Sequence, residues 1–394
     1  MQFIISCPAE QLQSIAQVFD CTYTVSGMDK PTPADSPPDD PRFRSGGKDV
    51  ARLAGVSTAT VSRALNSPDR VDPQTRLRIL EAAAKLRYVP HGAARSLRSH
   101  RSRMVGAVVP SFDYALYART TSALQQRLDA RGYSLVLAEQ HYDLAVEVRV
   151  AKQLIQHGVD AFVFVGLDHD PALFALLEDY GRPYVLTWGI DPFGRHPSIG
   201  FDNQAVTYEL TRHLISQGHR RFGLLSAPIE GNDRARARGA GVRKALAEAG
   251  LALADDCIRY APISLQSAEQ AMQLLLALAE PPTVVVATND VFAVGAMVAC
   301  RKVGVCIPDD MSITGVDNTD LGATQTPGLT SIRTPIVEIG HAAATQLIAR
   351  LEGHSWEPFQ AFPIEVVHRG STGPPRADAR RRTARDRRPV PAAS

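Results

Sequence analysis

Lys48-Asp49-Val50-Ala51-Arg52-Leu53-Ala54-Gly55-Val56-Ser57-Thr58-Ala59-Thr60-Val61-Ser62-Arg63-Ala64-Leu65-Asn66 is the stretch that decides how the chain is read. Val50, Leu53 and Ala54 share one face of a first short helix, and Val61, Ala64 and Leu65 share one face of a second, so the pair can pack across a tight turn. Gly55 supplies that turn, because a residue without a Cβ takes a positive φ at a helix end at little cost. Ser57 stands where a side-chain oxygen caps the N–H groups that open the second helix. The solvent face of helix two then presents Thr58, Ala59, Ser62 and Arg63, small or hydrogen-bonding side chains with one guanidinium, suited to base edges and phosphates in a major groove. Thr60 and Asn66 complete the candidate DNA-contacting set with Ser57. The pattern predicts a helix-turn-helix whose second helix is the reader.

A third helix is expected next. Asp72 suits its N-cap and Pro73 its first position, and Leu77, Leu80, Ala84 and Leu86 are expected to close a small three-helix core before Tyr88-Val89-Pro90 ends it. The following His91-Gly92-Ala93-Ala94-Arg95-Ser96-Leu97-Arg98 is too short to hold a helix alone in water. The run resembles the DNA-binding headpiece of the lactose/galactose-repressor (LacI/GalR) family, which has the form D-V-A-x-x-A-G-V-S-x-x-T-V-S-R-x-L-N followed by Y-x-P and A-R-x-L pieces. The resemblance implies a hinge helix over the last piece, with Ala94, Arg95 and Leu97 at the minor groove and Leu97 inserted between base pairs when two hinges pair on an operator. It also implies a homodimer on palindromic double-stranded DNA. His91 departs from the family, where an Asn usually opens the hinge, and Gly92 follows it, so a weaker hinge is expected.

Charge supports the reading. Arg42 to Arg103 holds 14 Lys or Arg against 4 acids, a local +10 in a chain whose total is +2. A basic module on a near-neutral chain is the electrostatic footprint of a nucleic-acid binder. Pro374 to Ser394 adds seven Arg and two Asp with Pro at both flanks, and is expected to be a disordered basic tail that adds non-specific attraction to DNA or does nothing. The remainder of the chain is left at −13, so the middle is not expected to touch DNA.

At 394 residues and 44% hydrophobic content the chain can bury a large core and should hold two or three domains. It has no apolar run of about 18 residues, and Met1 to Cys7 carries no basic start, so neither a membrane span nor a signal peptide is expected. Five cysteines at irregular spacing, Cys7, Cys21, Cys257, Cys300 and Cys306, fit neither a disulfide framework nor a zinc site and read as reduced thiols in a cytoplasm. Residues 1–44 are expected to be a disordered extension, since Lys30 to Pro41 is dense in Pro and Asp. Ser45-Gly46-Gly47 stands where the first helix would usually find a Ser or Thr cap, so its start is expected to fray. The expected organisation is 45–90 helix-turn-helix, 91–103 hinge and linker, 104–373 effector and dimerisation domain, 374–394 tail.

From Met104 the pattern becomes repeated βα. Val105–Val109, Ser134–Ala138, Ala161–Val165, Tyr184–Thr187 and Ser198–Gly200 read as strands; after Phe201-Asp202-Asn203 the pattern restarts with Phe222–Ser226, Ile258–Tyr260, Thr283–Ala287 and Ser312–Val316. Two such lobes enclose a cleft where strand ends meet. The layout resembles the periplasmic-binding-protein-like effector domain of the same family, so the expected fold is an all-α helix-turn-helix headpiece plus an α/β domain of two doubly wound lobes. By that resemblance Asp317 is the cleft carboxylate and Arg238 the cleft arginine. Asn289 matches the Asn of an A-x-N-D motif with Asp290 supporting its loop, Asp202 lies at a lobe crossover, and Tyr117 and Trp188 are aromatics against a ligand's flat face. Read more plainly, Arg234 and Arg236 are surface charge, Trp188 is core, and Asp202 caps the next helix.

A carboxylate, a guanidinium, an amide and aromatic rings suit a polyhydroxylated sugar, and a purine or nucleoside would use the same set. Three other classes compete. An enzyme is disfavoured, since P-loop, G-x-S-x-G, H-E-x-x-H and strand-borne G-x-G-x-x-G motifs are missing and the His residues have no metal-ligand spacing; no cofactor or metal is expected. A transport receptor would need an export signal and no headpiece. A regulator whose cleft senses nothing, or another protein, stays open.

Overall fold

The computed structural model describes residues 46–66, 68–89 and 101–376. The chain divides into two compact units, residues 1–91 and 92–394, close to the boundary expected at Pro90. The expected hinge, with Ala94, Arg95 and Leu97, lies outside the described residues, as do residues 1–45 and 377–394.

The first unit is three helices, α1 (Gly47–Ala54), α2 (Thr58–Asn66) and α3 (Pro73–Lys85). Gly55 ends α1 at φ 65°, ψ 36°. Its N–H bonds Arg52 O at 3.3 Å while Val56 N bonds Ala51 O at 3.0 Å, the paired closure that a left-handed glycine permits. Ser57 Oγ accepts from Thr60 N at 3.1 Å and so caps α2. The start of α1 is held without Ser or Thr, because Gly46 N donates back to Asp49 Oδ2 at 2.9 Å.

The headpiece core differs from the expected one. Val50, Ala51, Ala54, Val61, Ala64, Ile79, Ala82 and Ala83 are buried together, with Leu65, Leu86 and Tyr88 packed at their edge. Leu53, Leu77 and Leu80 are 47%, 59% and 42% exposed, and Ala84 is exposed too. The stripe that meets α1 is Ile79, Ala82, Ala83 and Leu86, at i, i+3, i+4 and i+7, which leaves Leu77 and Leu80 on other faces. Alanines at the contacts let three short helices approach more closely than leucines would.

The second unit is two α/β lobes. In the first lobe β1 (Met104–Val109), β2 (Ser134–Glu139), β3 (Ala161–Val165), β4 (Tyr184–Thr187) and β5 (Ser198–Gly200) alternate with α4 (Ala115–Asp129), α5 (Leu144–Gln156) and α6 (Pro171–Asp179). The chain crosses to the second lobe through α7 (Asn203–Ser216), then runs β6 (Phe222–Ser226), α8 (Asp233–Glu248), β7 (Ile258–Tyr260), α9 (Leu265–Leu276), β8 (Val284–Ala287), α10 (Asp290–Lys302) and β9 (Ser312–Thr314). After the short α11 (Asp320–Ala323) and β10 (Ser331–Arg333) it returns through α12 (Ile336–Glu352), which packs on α4, to β11 (Phe359–Ala361) and β12 (Glu365–Val367). The first sheet has the order β11-β5-β4-β3-β1-β2 and the second β7-β6-β8-β9, with all pairings parallel. Both are covered by helices, as near-continuous apolar strands such as Ala161–Val165 require.

Where the chain passes between lobes, β10 and β12 pair antiparallel. The segment after β12 continues into the second lobe, where Ile313 N bonds Ser371 O at 2.9 Å and buried His219 bonds Gly373 O through Nε2 at 2.9 Å. The described chain runs past the expected boundary at 373, and Arg376 pairs with Asp309 at 2.8 Å and Asp310 at 3.0 Å.

Candidate functional site

In the headpiece, α2 leaves Thr58, Ala59 and Arg63 exposed, with Ser62 half-buried. The Thr60 hydroxyl is tied to Ser57 Oγ at 2.9 Å, so these two expected contacts serve the cap as well as the surface. Asn66 ends α2. A short helix presenting small polar groups and a guanidinium on one open face can enter a major groove with its N-terminal turn against phosphate.

In the second unit Tyr117, Trp188, Arg238, Asn289 and Asp317 all line one cavity between the lobes. Asp317 follows β9 with φ 108°, a left-handed conformation costing about 1–3 kcal/mol in a non-glycine residue. The surroundings fix it there: Asp317 N bonds Ile332 O at 2.7 Å, and the next residue, Asn318, is held by Arg369 at 2.6 Å and by Ser331 Oγ at 3.0 Å. Asp290 supports the same loop by accepting from Ser331 Oγ at 2.6 Å and from the Thr319 N–H and hydroxyl at 2.6 and 2.9 Å.

The Asp317 side chain is 1% exposed and lies 3.8 Å from Arg238 Nη2. Thr334 Oγ1 donates to it at 3.4 Å, and the Tyr114 hydroxyl donates to its other oxygen. Burial pushes its carboxyl up to about 7, against the opposing pull of Arg238, because a charged form loses its water there. Arg238 itself is spent on its own lobe, with Nε on Asn203 Oδ1 at 3.0 Å and Nη1 on Thr288 O at 2.6 Å.

Trp188 also has positive φ, 70°, and is pinned by Asn203 Nδ2 donating to its carbonyl at 2.6 Å. Its ring meets Tyr117 edge to face at 5.3 Å. Its indole N–H is buried with no hydrogen-bond partner. Asn289 caps α10, its Oδ1 accepting from Phe292 N at 2.9 Å.

Asp202 is the candidate the structure does not bring to this cavity. Its carboxylate caps α7, accepting from Gln204 N at 2.8 Å and Ala205 N at 3.0 Å, and it borders an adjoining groove instead. The neighbouring Asn203 borders that groove too and holds two site residues from behind, bonding the Trp188 carbonyl and Arg238 Nε.

The sequence reading passed over Tyr114, Tyr142, Asn232 and Arg234, which line the same cavity. Arg234 stands four residues before Arg238 on α8, and that spacing puts both guanidinia on one helical face and Arg236 on another. Arg234 bonds Asp233 at 2.8 Å and lies against Gly166 of the first lobe. Gly166 has φ 99°, and a Cβ there would meet Arg234 Nη1 at 2.0 Å. The lobes also meet through Arg236 and Asp168 at 2.6 Å and through the Tyr114–Asp317 bond. The cavity enclosed by this lining is about 30 Å³, room for about two waters, and a wider groove bordered by Asp168, Asp202 and Arg236 adjoins it. No helix among the described residues is long and apolar enough to cross a membrane.

Residues 48–91 match the pattern described as bacterial regulatory proteins, lacI family, and residues 211–372 match the periplasmic binding protein-like domain. The HTH-type transcriptional repressor PurR of Erwinia tasmaniensis is 31% identical over 339 residues, 85% of this chain and 99% of that one. The HTH-type transcriptional repressor CytR of Escherichia coli K12 is 31% identical over 330 residues, 82% of this chain and 95% of the other. Among solved structures, the lac repressor dimer bound to operator and the anti-inducer ONPF superposes with TM-score 0.75 at 26% identity, covering 84% of this chain and all of that one. A CelR–cellobiose complex does so with TM-score 0.62 at 28% identity, covering 83% of this chain and all of the other. With a helix-turn-helix ahead of a two-lobed α/β domain and relatives matched over nearly their whole length, the chain belongs to the lacI family of bacterial regulatory proteins and is a DNA-binding transcriptional repressor, not an enzyme.

Proposed function

We propose that this repressor reads a palindromic operator as a homodimer in the cytoplasm, with α2 of each subunit in a major groove, and that a small molecule between the lobes sets its affinity. The observation that carries the DNA half is the exposed face of Thr58, Ala59 and Arg63 on a helix capped by Ser57, within a module of local charge +10. One headpiece buries too little surface for tight specific binding, and two on a symmetric site bury enough. The cleft half rests on the strained Asp317 and Trp188, since backbone strain held in place by surrounding bonds gathers at ligand sites. The same wall suits two effector classes, a polyhydroxylated sugar and a purine or nucleoside. The likeness to a regulator solved with cellobiose supports the first.

Fluorescence anisotropy on a selected operator tests the DNA half. Affinity should fall steeply between about 50 and 200 mM salt, and Arg63→Ala should lower it about tenfold or more at fixed salt. Binding indifferent to salt, or unchanged by Arg63→Ala, would remove α2 from the reader role.

A further inference from the structure

We infer that the effector presents an oxyanion, a carboxylate or phosphate, to Arg234 within the cleft. The inference rests on the proposed cleft site and narrows what that site takes. It comes from counting which hydrogen-bonding groups of the lining side chains are already in use.

Donors are plentiful and uncommitted. The Trp188 indole N–H is buried without a partner. Asn232 and Asn289 use their side-chain oxygens as helix caps, on Ala235 N at 3.3 Å and Phe292 N at 2.9 Å, which leaves their amide N–H groups as the ends to offer. Arg234 gives one N–H to Asp233 and, with five donors in a planar fork, has others to give. Acceptors are fewer, since the Tyr117, Tyr142 and Thr288 hydroxyls on the wall can give as well as accept. Asp317 is the carboxylate on the cavity wall, and Tyr114 and Thr334 already donate to it. A polyol brings one donor with every hydroxyl and would leave part of this wall unmatched. An oxyanion brings acceptors alone and matches the excess of donors.

The electrostatics point the same way. Arg234 and Arg238 are both buried at the cavity, and α8 and α10 both begin there, so the positive ends of two helices add to the guanidinia. Asp233, paired with Arg234 at 2.8 Å, offsets part of this, and Asp317 offsets it weakly, since burial pushes its carboxyl up to about 7 and it is partly protonated near neutrality. Arg238 is held through Nε by Asn203, through Nη1 by the Thr288 carbonyl and by the Asp317 charge 3.8 Å from Nη2, whereas the side-chain carboxylate on Arg234 is the adjacent Asp233, which makes Arg234 the guanidinium freer to turn to a ligand. It can lie where it does because Gly166 has no Cβ to displace it.

The test uses the full-length protein and matched probes: D-glucose against D-gluconate and glucose 6-phosphate, and adenosine against adenosine monophosphate. Binding is read by calorimetry and by the fluorescence of buried Trp188. At least one anionic member should bind ten- to a hundredfold more tightly than its neutral parent, the range expected for a charge-assisted pair. Arg234→Ala should bring the ratio of anionic to neutral affinity down to about one, whatever it does to the two affinities together. The gluconate and phosphate arms distinguish which oxyanion is taken. A neutral probe binding as tightly as its anionic partner overturns the inference and leaves the cleft site standing. Anion binding that survives Arg234→Ala overturns it too, because the anion is then held elsewhere, the basic headpiece included. Should none of the probes bind at millimolar concentration, the inference fails for both oxyanions, and the cleft is judged separately by whether Asp317→Ala alters the response to the effector that a wider screen identifies. If Arg234→Ala lowers the melting temperature markedly, Arg234→Gln, which keeps donors and loses charge, carries the same comparison.

Discussion

Asp317→Asn should reverse part of the pH dependence of stability. In the empty cleft burial raises this carboxyl from the ordinary 3.8 to about 7. A group whose folded value lies above its unfolded one binds protons more tightly in the native state, so its contribution is full below pH 3.8 and is lost as pH rises through 7. Each pH unit well inside that window is worth about 1.4 kcal/mol, and less as the carboxyl nears half-ionisation at 7, so between pH 5 and pH 7 the wild type should lose roughly 2 kcal/mol from this residue alone. Asparagine stands in for the protonated acid at every pH. The pairing with Arg238 belongs to the ionised carboxylate and is already contained in the value of about 7, so it adds nothing further to the relative slope. Urea unfolding of both proteins at pH 5, 6, 7 and 8, without effector, is the measurement. The variant should gain on the wild type by about 2 kcal/mol between pH 5 and 7 and by little between 7 and 8. A difference independent of pH would mean that Asp317 ionises in the folded protein as it does in the unfolded chain, and the account of its burial would be wrong.

Two further outcomes follow from the headpiece. Gly55→Ala meets no neighbouring atom but forces φ 65° on a residue with a Cβ; the cost of about 1–2 kcal/mol should appear in the intact protein as roughly tenfold faster hydrogen exchange across 47–66, with the second unit unaffected. A chain beginning at Ser45 should bind operator within about twofold of full length, because α1, α2 and α3 close their core without the preceding residues; specific binding lost from a folded truncated protein would give residues 1–44 a role in recognition.

The lobes were legible because long apolar strands bounded by amphipathic helices leave few alternatives: Ala161–Val165 and Phe222–Ser226 are found at their expected limits. The three-residue strands β5 and β7 were legible from their place in the βα repeat, whereas β10, β11 and β12 lie after the repeat ends and are defined by what they pair with across the fold. In the headpiece the helices were readable and their buried face was not. Leu53, Leu77 and Leu80 outweigh the alanines on any hydropathy argument, yet close helix approach selects Ala51, Ala54, Ala82 and Ala83. At the cleft, Asp317, Arg238, Asn289, Trp188 and Tyr117 meet as the family resemblance implied. Asp202 does not, because in an extended residue just ahead of a helix a carboxylate finds two free N–H groups closer than any ligand. Tyr114 had no local signal, its bond to Asp317 spanning 203 residues of sequence.

The closed cleft constrains how any effector can act. The cavity walled by Asp317 and Trp188, about 30 Å³, excludes a sugar or a purine, so binding at those residues must turn the aromatic walls or part the lobes. Parting them breaks Tyr114 from Asp317, Arg236 from Asp168, and Arg234 from its seat on Gly166. The first of these is buried, and its loss leaves a carboxylate and a phenol to be satisfied by the ligand. The second is an ion pair half open to solvent and contributes about 1 kcal/mol or less. Opening therefore costs chiefly the Tyr114–Asp317 bond, and the effector's apparent affinity is reduced by the fraction of protein that rests closed. Whatever shift it imposes on the lobes, and through them on the DNA, cannot exceed its preference for the opened cleft over this one.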